Sequence, residues 1–114
     1  MNKDPLIFIK HILENIDIIE EFSKNSSKQE IFKDKQKQYA IIRAIEIIGE
    51  AAKNLPNSFT KKYSEVNWKE IIGTRDKLIH QYFGIDLDII WSIIKRDIPK
   101  LKKEIQGIIK KEKS

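Results

Sequence analysis

Cysteine is absent from the sequence, and histidine occurs only twice, at His11 and His80. The lack of cysteine excludes a disulfide scaffold and any thiolate-ligated metal site. Two histidines this far apart in the chain also argue against a dedicated zinc site. We therefore expect neither a metal nor a cofactor.

Glycine and proline are scarce, with four and three residues in a chain of 114. Apolar residues recur at the three- and four-residue spacing of helices, and no repeat or linker divides the chain. The length is typical of one domain. We predict an all-α fold, an antiparallel helical bundle of four main helices plus short helical turns. It should form a single domain over residues 1–114, with a frayed tail at 110–114.

No apolar run approaches the roughly 18 residues that a membrane span requires. The N-terminus also lacks the basic and apolar regions of a signal peptide, so we expect a cytoplasmic protein with no membrane partner. The net charge of +5 suits a phosphate-bearing partner such as RNA. Because the lysines are spread along the chain and interleaved with acidic residues, they are better explained as solvated helix faces. Charge alone leaves both interpretations open.

Apolar spacing and capping residues predict main helices over 4–22, 34–55, 68–82 and 87–109. Ser27 to Glu30 matches a capping box and predicts a short helical turn, while Pro99 should kink or restart the last helix. The predicted core faces of the first two main helices are Leu6, Ile9, Leu13, Ile16, Ile19 and Phe22, then Tyr39, Ile42, Ile45, Ile48, Ala52 and Leu55. The apolar arc of the second main helix is widened by Ile41, Ala44, Ile47 and Ala51. Its width indicates burial on two sides, against its own bundle and against something else, and is consistent with pairing in a dimer.

The second main helix also carries Arg43, Glu46 and Glu50 at three- and four-residue spacing. Like charges four residues apart on a helix repel each other, so a cation between the two glutamates would relieve the repulsion. Arg43 and Arg75 are the two candidates for that cation. The alternative is a solvated polar strip.

Arg75 falls in the middle of the apolar stripe of the third main helix, where a charge is costly unless it is paired or faces a wet groove. Arginine can bind a phosphate through two hydrogen bonds, and His80 can exchange a proton near neutral pH. RNA cleavage without a metal needs a base, an acid and a cation at phosphorus. On one continuous helix the two side chains point about 140° apart, so they converge only if the helix loosens or a dimer shares the site. The structural alternatives are an ion-paired arginine and a surface or capping histidine.

The stretch Arg75-Asp76-Lys77-Leu78-Ile79-His80-Gln81-Tyr82 matches the Arg-x4-His-x-Tyr motif of the HepT-like toxins, a branch of the HEPN superfamily. Its flanks also resemble that family, at residues 42–53, 68–73 and 82–86. The resemblance extends from about Pro5 to Ile109.

This resemblance implies a helical homodimer whose motif lines a cleft near the two-fold axis. It implies a metal-independent RNA endonuclease that is the toxin of a toxin–antitoxin pair. Arg75 and His80 would be the catalytic pair, and Tyr82 the residue to which a nucleotidyltransferase antitoxin attaches AMP. Asp76 stands where the family more often has asparagine, so its carboxylate could hold Arg75 in place or compete with phosphate for it.

Two other functions are compatible with the sequence. One is a non-catalytic dimeric helical module that binds a nucleotidyltransferase partner, with Arg75 and His80 serving recognition or structure. The other is a helical DNA-binding protein. That function is disfavoured because the basic residues do not cluster on a recognition helix and the motif helix is too apolar.

Overall fold

A computed structural model describes residues 4–79 and 86–113, and the regular structure in both ranges is helical. The helices are α1 (Pro5–Ser23), α2 (Lys28–Lys33), α3 (Lys35–Lys53), α4 (Asn57–Lys62), α5 (Trp68–Ile79), α6 (Leu87–Ser92) and α7 (Ile98–Lys113). A π-helical segment, Ile93–Asp97, joins α6 to α7. The predicted all-α fold is confirmed. In the part of the chain that is described, no helix is both long and apolar enough to cross a membrane.

The first two helices begin at the predicted capping residues. The Asp4 carboxylate accepts a hydrogen bond from the backbone N–H of Leu6 at 3.0 Å, and Pro5 occupies the first turn of α1. Ser27 Oγ accepts from the Glu30 N–H at 3.1 Å, and Glu30 Oε1 accepts from the Ser27 N–H at 3.3 Å. Each cap satisfies backbone N–H groups that a helix start leaves unpaired, and caps of this kind contribute about 1 kcal/mol.

Helix α3 is central because it packs against α1 and against α5. Helices α1 and α3 are antiparallel: Phe8, near the start of α1, shares a groove with Asn54 at the end of α3. At the opposite end, Lys37 Nζ donates to Ser26 Oγ at 2.8 Å. The wide apolar arc of α3 is therefore filled by helices of its own chain.

The most deeply buried large side chains are Ile9, Ile12, Ile16, Ile19, Ile31, Ile41, Ile90, Ile105 and Ile108.

The predicted core faces are wrong at three positions. Phe22 is 38% exposed and Tyr39 is 63% exposed, whereas Ile12, which was not predicted, is fully buried. Tyr39 lies one helical turn before Arg43 and so faces the polar side of α3. Phe22 lies one turn after the exposed Ile18, off the stripe that α1 buries.

The last helical region differs from its prediction in two ways. It does not end near Ile109, because the Glu112 carboxylate accepts hydrogen bonds from Lys62 Nζ at 2.8 Å and from the Tyr63 hydroxyl. These contacts hold the last turn of α7 against the α4 region. Pro99 lies in the first turn of α7, directly after the π-helical segment. Since proline has no N–H and disrupts a regular helix interior, the break at this point is confirmed. The single-domain organisation stays a prediction, and helix α7 continues into the tail that was predicted to fray, as far as Lys113.

Replacing Ile12 with alanine should destabilise the fold by about 2–5 kcal/mol, because it leaves a cavity where a fully buried side chain packed. Urea unfolding monitored by circular dichroism measures the change. The matched control is Ile7→Ala on the same helix, since Ile7 is 44% exposed and its loss should cost under about 0.5 kcal/mol. Equal losses in the two variants would contradict the assigned core of α1.

Candidate functional site

Helix α5 carries the first part of the Arg-x4-His-x-Tyr motif. It begins at Asn67, whose Oδ1 accepts from the Glu70 N–H at 3.1 Å while its Nδ2 donates to Glu70 Oε2 at 3.0 Å. The buried Trp68 donates its indole N–H to the Tyr63 carbonyl at 3.1 Å and so fixes the first turn. The helix then passes through Gly73 without a break, and a Cβ there would meet nothing within 4 Å.

The structure describes some of the predicted site residues and not others. Arg75 belongs to the last part of α5, and Asp76 beside it is exposed. The side chain of Arg75, together with His80 and Tyr82, lies outside the part of the chain that is described. Whether Arg75 and His80 converge on one phosphate therefore stays a prediction.

Helix α6 begins at Leu87, seven residues after His80. Asp86 is its cap, with Oδ1 accepting from the N–H groups of Asp88 at 3.0 Å and Ile89 at 3.3 Å. Asp88 in turn forms an ion pair with Lys28 of α2. The stretch that carries His80 and Tyr82 is therefore bounded by α5, which packs on α3, and by α6, which is attached to α2.

The exposed side of α3 forms one wall of a groove with α1, with a volume of about 390 Å³. Arg43 Nη1 lies 3.3 Å from Glu46 Oε2, so Arg43 is a cation that pairs with the first of the two glutamates. Glu50 lines the same groove one turn later, and His11 faces it from α1. His11 is exposed, in agreement with its predicted surface position.

A second concavity, of about 90 Å³, lies between α3, α5 and α7. Its floor is apolar, formed in part by Ile45 and Ile71, and its rim carries the carboxylates of Glu70, Asp97 and Glu104. This cleft is not evident in the sequence, because Glu70 lies on α5 and meets Asp97 and Glu104 only when the last helical region packs against α5. The π-helical segment that precedes Pro99 was the one local signal, since π segments often mark functional positions.

Two carboxyl groups of this cleft have raised pKa values. Asp97 is exposed, but partial desolvation in the cleft and the neighbouring Glu70 charge raise its pKa above the ordinary value, against the opposing effect of nearby cations. Burial also raises the pKa of Glu104, and the charge of Glu65 adds to the effect. Among the described residues, no three histidine, cysteine or acidic side chains are grouped as a metal site would require.

Asp97→Asn should stabilise the fold at neutral pH and have little effect near pH 2.5. A carboxyl whose pKa is higher in the folded state costs stability as the pH rises above its unfolded value of about 3.8. Asparagine removes that cost at neutral pH, whereas in acid the carboxyl is already neutral in both states. Urea unfolding at the two pH values measures the difference. A variant less stable than the parent at neutral pH would show that the carboxylate makes a net favourable contact instead.

Comparison with known proteins gives a consistent result. The chain matches the ribonuclease HepT-like family over residues 12–108. It is 47% identical over 111 residues to a protein of Caldanaerobacter subterraneus subsp. tengcongensis that is provisionally named a ribonuclease, and the match covers 97% of this chain and 99% of the relative. It is 45% identical over 110 residues to a protein named probable ribonuclease HepT from Thermococcus cleftensis, covering 96% and 100%.

A relative from Methanocaldococcus jannaschii is 51% identical over 109 residues and is named both a gamma-glutamylcyclotransferase and, provisionally, a ribonuclease. The match covers 96% of this chain and 49% of that relative, so the chain spans about half of its length. No solved structure matches the chain significantly. The family match extends over most of the sequence, from the second turn of α1 to the fourth turn of α7, and includes the whole Arg-x4-His-x-Tyr motif. The chain belongs to the ribonuclease HepT-like family.

Proposed function

We propose that this protein is a metal-independent RNA endonuclease that acts in the cytoplasm as the toxin of a toxin–antitoxin pair. The observation that carries the proposal is the Arg75-x4-His80-x-Tyr82 motif in a chain of the ribonuclease HepT-like family. The motif begins near the end of α5 and is completed before α6 begins. Functional residues often lie on segments that connect the rigid elements of a fold.

The proposed chemistry is intramolecular transfer of the phosphate within RNA. A neutral His80 imidazole takes the proton of a ribose 2′-hydroxyl, and that oxygen forms a bond to the adjacent phosphorus. The bond from phosphorus to the 5′-oxygen of the next nucleotide breaks, and an imidazolium returns a proton to that oxygen. The Arg75 guanidinium stabilises the extra negative charge on the phosphoryl oxygens. The products are a 2′,3′-cyclic phosphate and a 5′-hydroxyl.

A base and an acid are both needed, and each chain supplies one histidine in the motif. We therefore propose that the active form is a homodimer in which the second copy contributes its own Arg75 and His80. The wide apolar arc of α3 no longer supports this dimer, because α1 and α5 of the same chain fill it. Support for the dimer comes from the requirements of the reaction and from the family resemblance.

Asp76 is the supporting polar residue of the proposed site. It is exposed on α5 directly after Arg75. In the proposal it limits the movement of the Arg75 side chain, at the cost of competing with phosphate for the guanidinium.

Regulation is proposed to act on Tyr82. A nucleotidyltransferase antitoxin would use ATP, with the Tyr82 oxygen forming a bond to the α-phosphorus as pyrophosphate leaves and the phenolic proton is released. The attached AMP adds a negative charge and a bulky group two residues from His80. Both effects oppose the approach of an RNA phosphate, so a local change in charge would stop the nuclease.

Arg75→Ala and His80→Ala should each reduce RNA cleavage by at least about a hundredfold while thermal unfolding stays within a few degrees of the parent. Cleavage of a labelled total-RNA substrate is followed on denaturing gels with purified protein. The matched control for the histidine is His11→Ala, since His11 is exposed on α1 and lies outside the motif. Full activity in His80→Ala, or loss of activity in His11→Ala, would contradict the assignment. Absence of cleavage by unmodified parent protein would favour the non-catalytic binding module.

Co-expression with a nucleotidyltransferase encoded next to this gene should increase the intact mass by one or more AMP units, and Tyr82→Phe should abolish the increase. Intact-protein mass spectrometry makes the measurement directly. Tyr39→Phe is the matched control, because Tyr39 is 63% exposed and its hydroxyl is accessible without being part of the motif. Modification that persists in Tyr82→Phe and disappears in Tyr39→Phe would show that the modified residue is Tyr39 on α3.

A further inference from the structure

We infer that the corner between α2 and α3 is a platform that binds single-stranded RNA next to the cleavage site. The corner is defined as residues 24–39, and its principal contacts are Phe32, Tyr39, Lys33 and Lys35. The identity of the ligand rests on the proposed nuclease function. The surface itself is argued from charge, exposed aromatic area and its attachment to α6.

The corner has an excess of positive charge. Five lysines and two acidic residues lie between positions 24 and 39. Both acidic groups are used in capping: Glu30 accepts from the Ser27 N–H at 3.3 Å, and Asp34 accepts from the Lys37 N–H at 3.1 Å. Five lysines against two carboxylates leave a net positive charge at the corner, although Lys28 is paired with Asp88 of α6.

Two aromatic side chains of the corner are open to solvent. Phe32 is 37% exposed and Tyr39 is 63% exposed, whereas Phe59, Tyr63 and Trp68 are buried. The Lys28 ammonium lies 5.5 Å from the centre of the Phe32 ring and makes a cation–π contact with one face of it. Exposed aromatic rings among cations are the surfaces on which unpaired bases stack.

The corner is held in a fixed shape. The Gln38 side-chain amide donates to the carbonyls of Ile31 and Phe32, each at 2.8 Å. These two bonds attach the end of α2 to the first turns of α3. Ile31 is buried in the core below them. A rigid platform loses little conformational entropy when it binds a flexible strand.

The corner also lies within reach of the motif. The Lys28–Asp88 ion pair attaches α2 to the first turn of α6. Asp88 follows His80 by eight residues, which span at most about 28 Å even when fully extended. A strand of RNA that lies on the corner can therefore extend a few nucleotides to a phosphate at the motif.

The last helix is also rich in lysine but makes a poorer RNA surface. Lys102 Nζ is 2.6 Å from Glu20 Oε1 and 3.8 Å from Asp17 Oδ1, so its charge is partly neutralised. Lys100 lines the cleft that holds Asp97 and Glu104. No aromatic residue occurs within α7, whose sequence is given by residues 98–113. Positive charge and exposed rings occur together at the α2–α3 corner.

The first test uses a short fluorescein-labelled oligouridine with methylated 2′-hydroxyls, which the proposed reaction cannot cleave. We expect Phe32→Leu to raise the dissociation constant roughly fivefold or more, because leucine is apolar but cannot stack on a base. Phe32→Tyr should bind as tightly as the parent. Phe22→Ala is the positional control, because Phe22 is equally exposed at 38% but lies on α1 outside the corner.

The second test measures the salt dependence of the same binding. The logarithm of the association constant falls linearly with the logarithm of the salt concentration. Lys33→Gln combined with Lys35→Gln should make this slope less negative by about 1.4, the value for two lost phosphate contacts with a single strand. Lys53→Gln combined with Lys61→Gln is the charge-matched control. Lys53 is at the far end of α3, about 27 Å from Lys35 along the helix axis. That control should leave the slope unchanged.

The outcomes separate this inference from the proposed nuclease. Binding that follows the expected pattern supports the platform, even if the parent protein cleaves no RNA and the nuclease proposal fails. Cleavage by the parent with equal binding by Phe32→Leu overturns the platform and leaves the nuclease intact. No binding by the parent also overturns it. Light scattering gives the molar mass of the protein in solution. If Phe32→Leu changes that molar mass, the corner is an interface between copies or with a protein partner, and the inference is wrong.

Discussion

Helix α3 packs against α1 and α5 at once, and this packing holds the main helices of the described chain together. Isoleucines of α1 and α3 form one continuous buried seam, and α5 occupies the neighbouring side of α3. Each fully buried aliphatic side chain contributes about 1.5–3 kcal/mol of transfer free energy, so this seam supplies much of the favourable term in folding. The same packing leaves only one side of α3 in contact with solvent, where Tyr39, Arg43 and Glu50 lie.

This arrangement also determines where the motif is presented. Helix α5 is fixed at its start by the Asn67 cap and the indole of Trp68, and along its length by α3. Helix α6 is fixed by its Asp86 cap and by the Lys28–Asp88 pair. The motif therefore begins on one anchored helix and is completed before the start of another.

Much of the fold could be predicted from the sequence, and the exceptions have physical reasons. The helices, the Asp4 cap and the Ser27–Glu30 capping box depend on local spacing and hydrogen bonding, so the residues themselves predict them. Tyr39 and Ile12 were misplaced because amphipathic spacing gives an arc, and only the position of a neighbouring helix decides which edge of that arc is buried. The extension of α7 to Lys113 depends on contacts between Glu112 and residues about fifty positions away. The acidic cleft is likewise formed by helices that meet only after folding, while the motif itself was found because it is contiguous in the chain.

We propose that Arg75 and His80 cleave RNA by attack of the 2′-hydroxyl without a metal ion. The most direct measurement is the chemistry of the RNA ends produced by purified, unmodified protein in the presence of excess chelator, read by mass spectrometry of the fragments. The account predicts 2′,3′-cyclic phosphate and 5′-hydroxyl ends, with cleavage undiminished by the chelator. Fragments that form only after divalent metal is added and that carry 3′-hydroxyl and 5′-phosphate ends would contradict it, because they require an attacking water in place of the ribose oxygen.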